Sequence, residues 1–172
     1  MLPVAFMLSL WSTPVAPHRR IAIQGNQCSL LTAVEIEAAA GAKPGASQET
    51  NMDAGNGIRV KGCMWSVPSM LGQVALSTGP APAGVSVEKL MTSNAGTEAL
   101  RAQHYTEETK NFGGVTCYAI APPSSIKDGM FMTSCGTAVK GTIIPIVLMS
   151  PSKKPGIEPT KTLLDKAIAR FK

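Results

Sequence analysis

Between residues 28 and 171 the apolar positions change period several times, and each change marks an element. Thr32 and Glu35 stand three apart ahead of Ile36 and a run of alanines, the spacing of a capping box, and Gly41 suits the left-handed residue after a helix. A first helix is therefore expected to end at Gly41, with Glu35 and Glu37 near its positive end and Lys43-Pro44-Gly45 closing it. Period-two alternation follows. Ser47–Asp53 reads as a weak strand, Ala54-Gly55-Asn56-Gly57 as a turn and Ile58–Val67 as a stronger strand. Pro68–Leu71 interrupts, Gly72–Thr78 carries Val74 and Leu76 on one face, and Gly79–Gly84 is too rich in glycine and proline to continue a sheet.

Helical spacing then returns. Ser86 is placed to cap a helix through about His104, with Val87, Leu90, Met91, Ala95 and Ala102 on one side and Gly96 as the place where it would break. Phe112-Gly113-Gly114 reads as a turn before a strand at Val115–Ile120. Met130–Thr137 and Thr142–Met149 read as two more strands joined through Ala138-Val139-Lys140-Gly141. Pro151–Pro159 is a polar connector, after which Thr160 is expected to cap a helix through Phe171 with Leu163, Leu164, Ala167 and Ile168 on its apolar face. The order α-β-β-β-α-β-β-β-α predicts an α+β fold, an antiparallel sheet of about five to six strands flanked by helices.

The first 16 residues behave differently. Leu2–Leu10 with Trp11 has the length of a secretory apolar region, and Thr13-Pro14-Val15-Ala16 offers small residues at a cleavage site. No Lys or Arg precedes the run, which a start codon assigned too far downstream would explain. We expect 1–16 to be a signal peptide, 17–27 a linker and 28–172 a single domain, periplasmic or secreted. No run reaches the roughly 20 apolar residues of a spanning helix, so no transmembrane segment is expected.

Cysteine usage points to the same compartment. Cys28, Cys63, Cys117 and Cys135 are even in number and dispersed, unlike the tight pairs of zinc sites. Three connectivities exist; Cys28–Cys63 with Cys117–Cys135 closes the shortest loops between expected neighbours.

Cys28-Ser29-Leu30-Leu31-Thr32, a helix ending at Gly41 and Gly62-Cys63-Met64-Trp65 resemble a family of small actinobacterial lipoproteins of unknown function with C-x-L-L-T and C-x-W motifs. Their sheet-and-helix layout is similar to the PsbP-like fold. The resemblance implies an extracytoplasmic protein in which the two motif cysteines pair, and it brings no enzymatic activity. Gly25-Asn26-Gln27 before Cys28 is not a lipobox, so lipidation is not implied. Cys117 and Cys135 are additional to the motif.

Composition narrows the chemistry. The chain has 172 residues, 44% apolar and only 16% charged: enough for a core, and too apolar for a disordered chain. There is no nucleophile elbow, zincin helix or phosphate loop, and a cysteine nucleophile would have only two histidines, His18 and His104, to activate it. We expect no catalytic residues, no bound metal and no cofactor. Nine methionines keep one metal reading open, with Met130 and Met132 as a soft pair for copper. Against it, a cross-strand Cys117–Cys135 bridge would put Met130 and Met132 on the opposite face, in a core with Tyr118 and Ile120.

Residues 140–172 hold seven basic and two acidic residues and the rest of the chain nine of each, so this segment carries the whole net charge of +5. Lys153, Lys154, Lys161, Lys166, Arg170 and Lys172 form a candidate basic face toward cell-envelope polymer or an acidic partner. No aromatic residues interleave with these charges before Phe171, which argues against nucleic acid. The reading is a non-catalytic module, held by two disulfides, that binds an unidentified protein, envelope component or small molecule. Two alternatives stand beside it: a small extracytoplasmic enzyme without a local motif, and a methionine-based copper protein.

Overall fold

A computed structural model describes residues 26–53, 59–68, 72–92 and 95–171. The leader 1–16, most of the 17–27 segment, the Ala54–Gly57 turn and Lys172 lie outside the described residues. Asn26 and Gln27, assigned above to the linker, belong to the fold. Asn26 caps a short 3-10 turn, Gln27–Leu30, by accepting from the Cys28 N–H at 2.7 Å. Gln27 is buried and donates to Thr78 Oγ1 at 3.0 Å.

Helix α1, Ala33–Ala40, starts and stops where its local signals place it. Thr32 and Glu35 complete the capping box, and Gly41 takes φ 74°. Seven strands make one antiparallel sheet: β1 Ser47–Asp53, β2 Arg59–Val67, β3 Gly72–Pro80, β4 Thr106–Asn111, β5 Thr116–Ala121, β6 Phe131–Val139 and β7 Thr142–Ser150. Their order is β1-β2-β3-β7-β6-β5-β4, two meanders that meet between β3 and β7. The fold is α+β as expected, with one strand more. The extra strand is β4, at the sheet edge, whose Thr-Glu-Glu-Thr-Lys-Asn carries no apolar residue to announce it.

Four other expectations need correction. β3 does not stop before Gly79: Gly79 and Pro80 continue it, paired with Ile143 and Thr142 of β7. The helix placed from Ser86 to His104 is two helices, α2 Val87–Thr92 and α3 Ala95–Ala102, and His104 sits in a turn at φ 62°. Ser86 does cap the first, its Oγ accepting from the Lys89 N–H at 3.2 Å. The last helix, α4, runs Ile157–Arg170 with Gly156 at its N-cap. Pro159 lies in its first turn, where the missing N–H has no intrahelical partner to lose. Thr160 is buried inside that helix and donates to Gly156 O at 2.7 Å, so it is no cap. Finally, β6 and β7 run up to a two-residue turn, Lys140-Gly141, with φ of 48° and 76°. Positive φ at both positions matches the twist of a tight hairpin.

The 3-10 turn, α1 and α4 cover one face of the sheet. Beneath them Trp65, Val67, Val74, Leu76, Ile144, Ile146 and Leu148 form the main core with Leu163, Leu164 and Ala167 of α4. Each fully buried branched side chain contributes about 1.5–3 kcal/mol from removal of apolar area. One row of cross-strand partners organises this face: Lys110, Cys117, Cys135, Ile146, Leu76, Cys63 and Glu49, one from each strand. Cys117 is bonded to Cys135, with Cα atoms 4.0 Å apart, the close spacing of directly opposed residues. Cys63 is bonded to Cys28 and so fastens the 3-10 turn to the sheet. Arg170 closes the layer from α4. It donates to Leu30 O at 2.9 Å and forks onto both oxygens of Glu35 at 2.8 Å. Those bonds, with the Thr32 N–H, hold the Glu35 carboxyl down at about 2 against its partial burial.

Candidate functional site

The second face of the sheet is covered over only part of its width. In β7 burial alternates strictly: Ile144, Ile146 and Leu148 are buried under α4, whereas Ile143, Pro145, Val147 and Met149 are half-exposed. In β5 both sets are buried, because α2 lies over β5 and β6. Gly136 permits that approach. A Cβ there would fall 2.7 Å from Met91 Sδ and 3.5 Å from Val87 Cγ1.

A single register row shows the change from covered to open: Tyr118, Ser134, Val147, Ala75, Met64 and Gln48 are successive partners across the sheet. Tyr118 and Ser134 are buried, Val147, Ala75 and Met64 half-exposed, and Gln48 exposed. The centre of the open half is apolar and its margin, Gln48, Thr50, Ser66 and Gln73, is polar but uncharged. No described position on this face of β1, β2, β3 or β7 carries a charge. Pairing between β3 and β7 lapses at Ser77 and Thr78, opposite Ile144 and Pro145, since Pro145 has no N–H for the ladder.

The rim of the covered half is held by polar groups. Arg101 of α3 pairs with Glu107 of β4, Nε to Oε1 at 2.6 Å and Nη2 to Oε2 at 3.0 Å. Its Nη2 also donates to Thr92 O at 2.7 Å, which fastens the end of α2. The Tyr118 hydroxyl is buried and closes no hydrogen bond, although the Arg101–Glu107 pair stands near enough for its charge to be felt. Burial, and then the Glu107 carboxylate, push the phenol up to about 12. A phenol held neutral in this way is neither a base nor a nucleophile at neutral pH.

The structure distributes the residues singled out from the sequence. All four cysteines are in disulfides, Cys63, Cys117 and Cys135 buried and Cys28 half-buried, which leaves no thiolate for metal or nucleophilic chemistry. The expectation that Met130 and Met132 are both core residues fails. Met130 precedes β6 and is 41% exposed, because the Pro122–Gly129 loop releases the chain before the strand starts. Met132 is half-buried opposite Met149. Among the described residues no three His, Cys, Asp or Glu cluster as metal ligands.

The basic segment is partly neutralised from within. Lys154 reaches Glu108 at 2.8 Å, Lys161 reaches Asp165 at 2.7 Å and lies over the Phe112 ring, and Arg170 holds Glu35. Lys153 and Lys166 remain as exposed cations, and Lys172 lies outside the described residues. The open sheet face was not anticipated. Its signal was present in the continuous apolar run Ile143–Met149, which needs cover on both faces and receives it on one. A crevice on the helix-covered side, lined by Ala40, Val67, Val74, Leu148 and Pro155, holds about 10 Å³, room for no more than one water. No helix of the described residues is long and apolar enough to cross a membrane.

No protein-family model matches the chain, and no curated protein matches it in sequence. Among solved structures it is similar to the extracellular domain of PknH from Mycobacterium tuberculosis, at 11% identity and a TM-score of 0.53, over 84% of this chain and 94% of that one. At that identity the likeness is one of fold alone.

Proposed function

We propose that this protein is an extracytoplasmic, non-catalytic interaction module that works through the open half of its second sheet face. The observation that carries the reading is the burial contrast along β7, where Ile143, Pro145, Val147 and Met149 stay half-exposed beside a fully packed core. A contiguous uncharged patch of this kind, apolar at the centre and polar at the margin, has the anatomy of a contact surface. Two disulfides favour an oxidising compartment, periplasmic or secreted. Kinship with the lipoprotein family suggested by Cys28-Ser29-Leu30-Leu31-Thr32 and Gly62-Cys63-Met64-Trp65 belongs to the same proposal, as does a leader in residues 1–16. The basic segment is secondary, since three of its cations are spent on ion pairs within the fold.

Nile red, an uncharged probe of apolar surface, tests the site. Added to sub-micromolar oxidised protein it is expected to brighten several-fold, and the gain should vanish in Val147→Lys with the circular dichroism unchanged. An equal gain in wild type and Val147→Lys, or none in either, rejects the open face as the binding surface. Protein isolated from its native host tests the compartment: a processed N-terminus and a non-reduced mass four hydrogens below the thiol form are expected. An intact Met1 with four free thiols would reject it.

A further inference from the structure

We infer that the open face takes a second copy of this chain, forming a weak two-fold dimer in which the two sheets stack face to face. This rests on the reading of that face as a contact surface and names the occupant. In an isologous contact a patch meets itself, so any charge near the axis meets its own sign. At a net charge of +5 two copies repel over most of their surfaces. The described positions of this face bear no charge, so here two copies approach without placing like charges together.

Composition agrees with a protein contact. Met64, Ala75, Pro145, Val147 and Met149 occupy the centre, and Gln48 and Gln73 lie at the margin where a rim bonds water. Methionine suits a face that must fit its own image, because its unbranched thioether adapts to the surface opposite. Area sets the strength. Four strands about 4.8 Å apart and about 26 Å long give a footprint on the order of 500 Å². Two such faces bury about 1,000 Å², the lower end for a specific contact and below the roughly 1,600 Å² of a standard one. The dimer is therefore concentration-dependent, and it tightens as salt screens the net charge, opposite to an interface built on ion pairs.

Sedimentation equilibrium of the full oxidised chain, from about 1 to 500 μM, tests this. The weight-average mass should climb toward twice the monomer with a dissociation constant in the tens of micromolar, and several-fold tighter in 0.5 M than in 0.05 M sodium chloride. Gln73→Lys should weaken it and Val147→Lys abolish it, while Lys153→Glu should not weaken it. Methyl NMR on the wild-type chain needs no variant: Met64, Met149 and Val147 should shift on dilution and Leu163 and Leu164 of α4 should not. A monomer throughout, or a dimer whose shifts map to another surface, overturns the inference. If either is seen while Nile red still brightens in a Val147-dependent manner, the contact-surface reading stands and only the occupant was wrong.

Discussion

β5 and β7 make a pair in which hydrophobicity and burial run in opposite order. β7 is the more apolar, with Ile143, Ile144, Ile146, Val147, Leu148 and Met149 around a proline, yet only alternate residues are buried. β5, Thr-Cys-Tyr-Ala-Ile-Ala, has smaller and more polar side chains and is buried on both faces for all but its last residue. The difference lies outside both strands. α2, set between the two meanders, crosses the second face over β5 and β6 and stops short of β7. A strand's own sequence tells how much apolar surface it offers; the connections that pass over it decide how much is removed from water.

The contrast within β7 has the largest expected effect. Ile146 and Val147 are neighbours of similar chemistry, one fully buried under α4 and one on the open half. Ile146→Ala should cost about 2–5 kcal/mol in urea denaturation, the transfer of lost methyl groups plus a cavity. Val147→Ala should cost less than about 1 kcal/mol, since little packing is lost on a half-exposed face. Equal costs would mean that the second face is covered after all.

What could be read from sequence divides along the same line. The Thr32–Glu35 capping box, Gly41 and the alternation of β2 depend on residues a few positions apart, and these elements fall within a residue of where the pattern puts them. β4 was invisible because an edge strand that buries nothing needs no apolar alternation. α4 is capped at Gly156, four residues ahead of the expected cap Thr160, because Pro159 looks like connector until the first turn of a helix is recognised around it. The open face needed knowledge of where α2 travels, which Val87, Leu90 and Met91 do not specify by themselves. They announce a helix with an apolar side and leave its seat on Gly136 unstated.

That seat gives an intermediate effect. Gly136→Ala puts a methyl group 2.7 Å from Met91 Sδ. The thioether is the flexible end of its side chain and can move, so the sheet should survive at a cost of about 1 kcal/mol. The effect should be local. Amide exchange in Val87–Thr92 should accelerate while α4 and β7 keep their protection, which sharpens the view of α2 as a cover separable from the main core. Uniform acceleration across the sheet would instead make α2 part of one cooperative unit with α4.

The smallest effect concerns the hydroxyl that α2 and α3 help to bury. Tyr118 ionises only at about 12 in the folded chain, against about 10 for an unperturbed phenol. Between those values an unfolded chain loses this proton and the folded chain keeps it. The stability from burying the neutral phenol is therefore complete below pH 10 and declines as pH rises through 10 to 12. Tyrosinate absorbance can isolate the group, because the chain has only two tyrosines and Tyr105→Phe removes the other. A midpoint near 12 is expected in that variant, and a midpoint near 10 would show that the cover over β5 is open to water. Tyr118→Phe completes the test. Its Oη closes no hydrogen bond, so removing it strands no partner and should leave stability at pH 7 within about 1 kcal/mol of wild type. At pH 11 the variant should be the more stable chain, since nothing at that position remains to ionise on unfolding. A large loss at neutral pH would instead reveal that the hydroxyl is bonded to the Arg101–Glu107 pair and is part of what fastens α3 to the edge of the sheet.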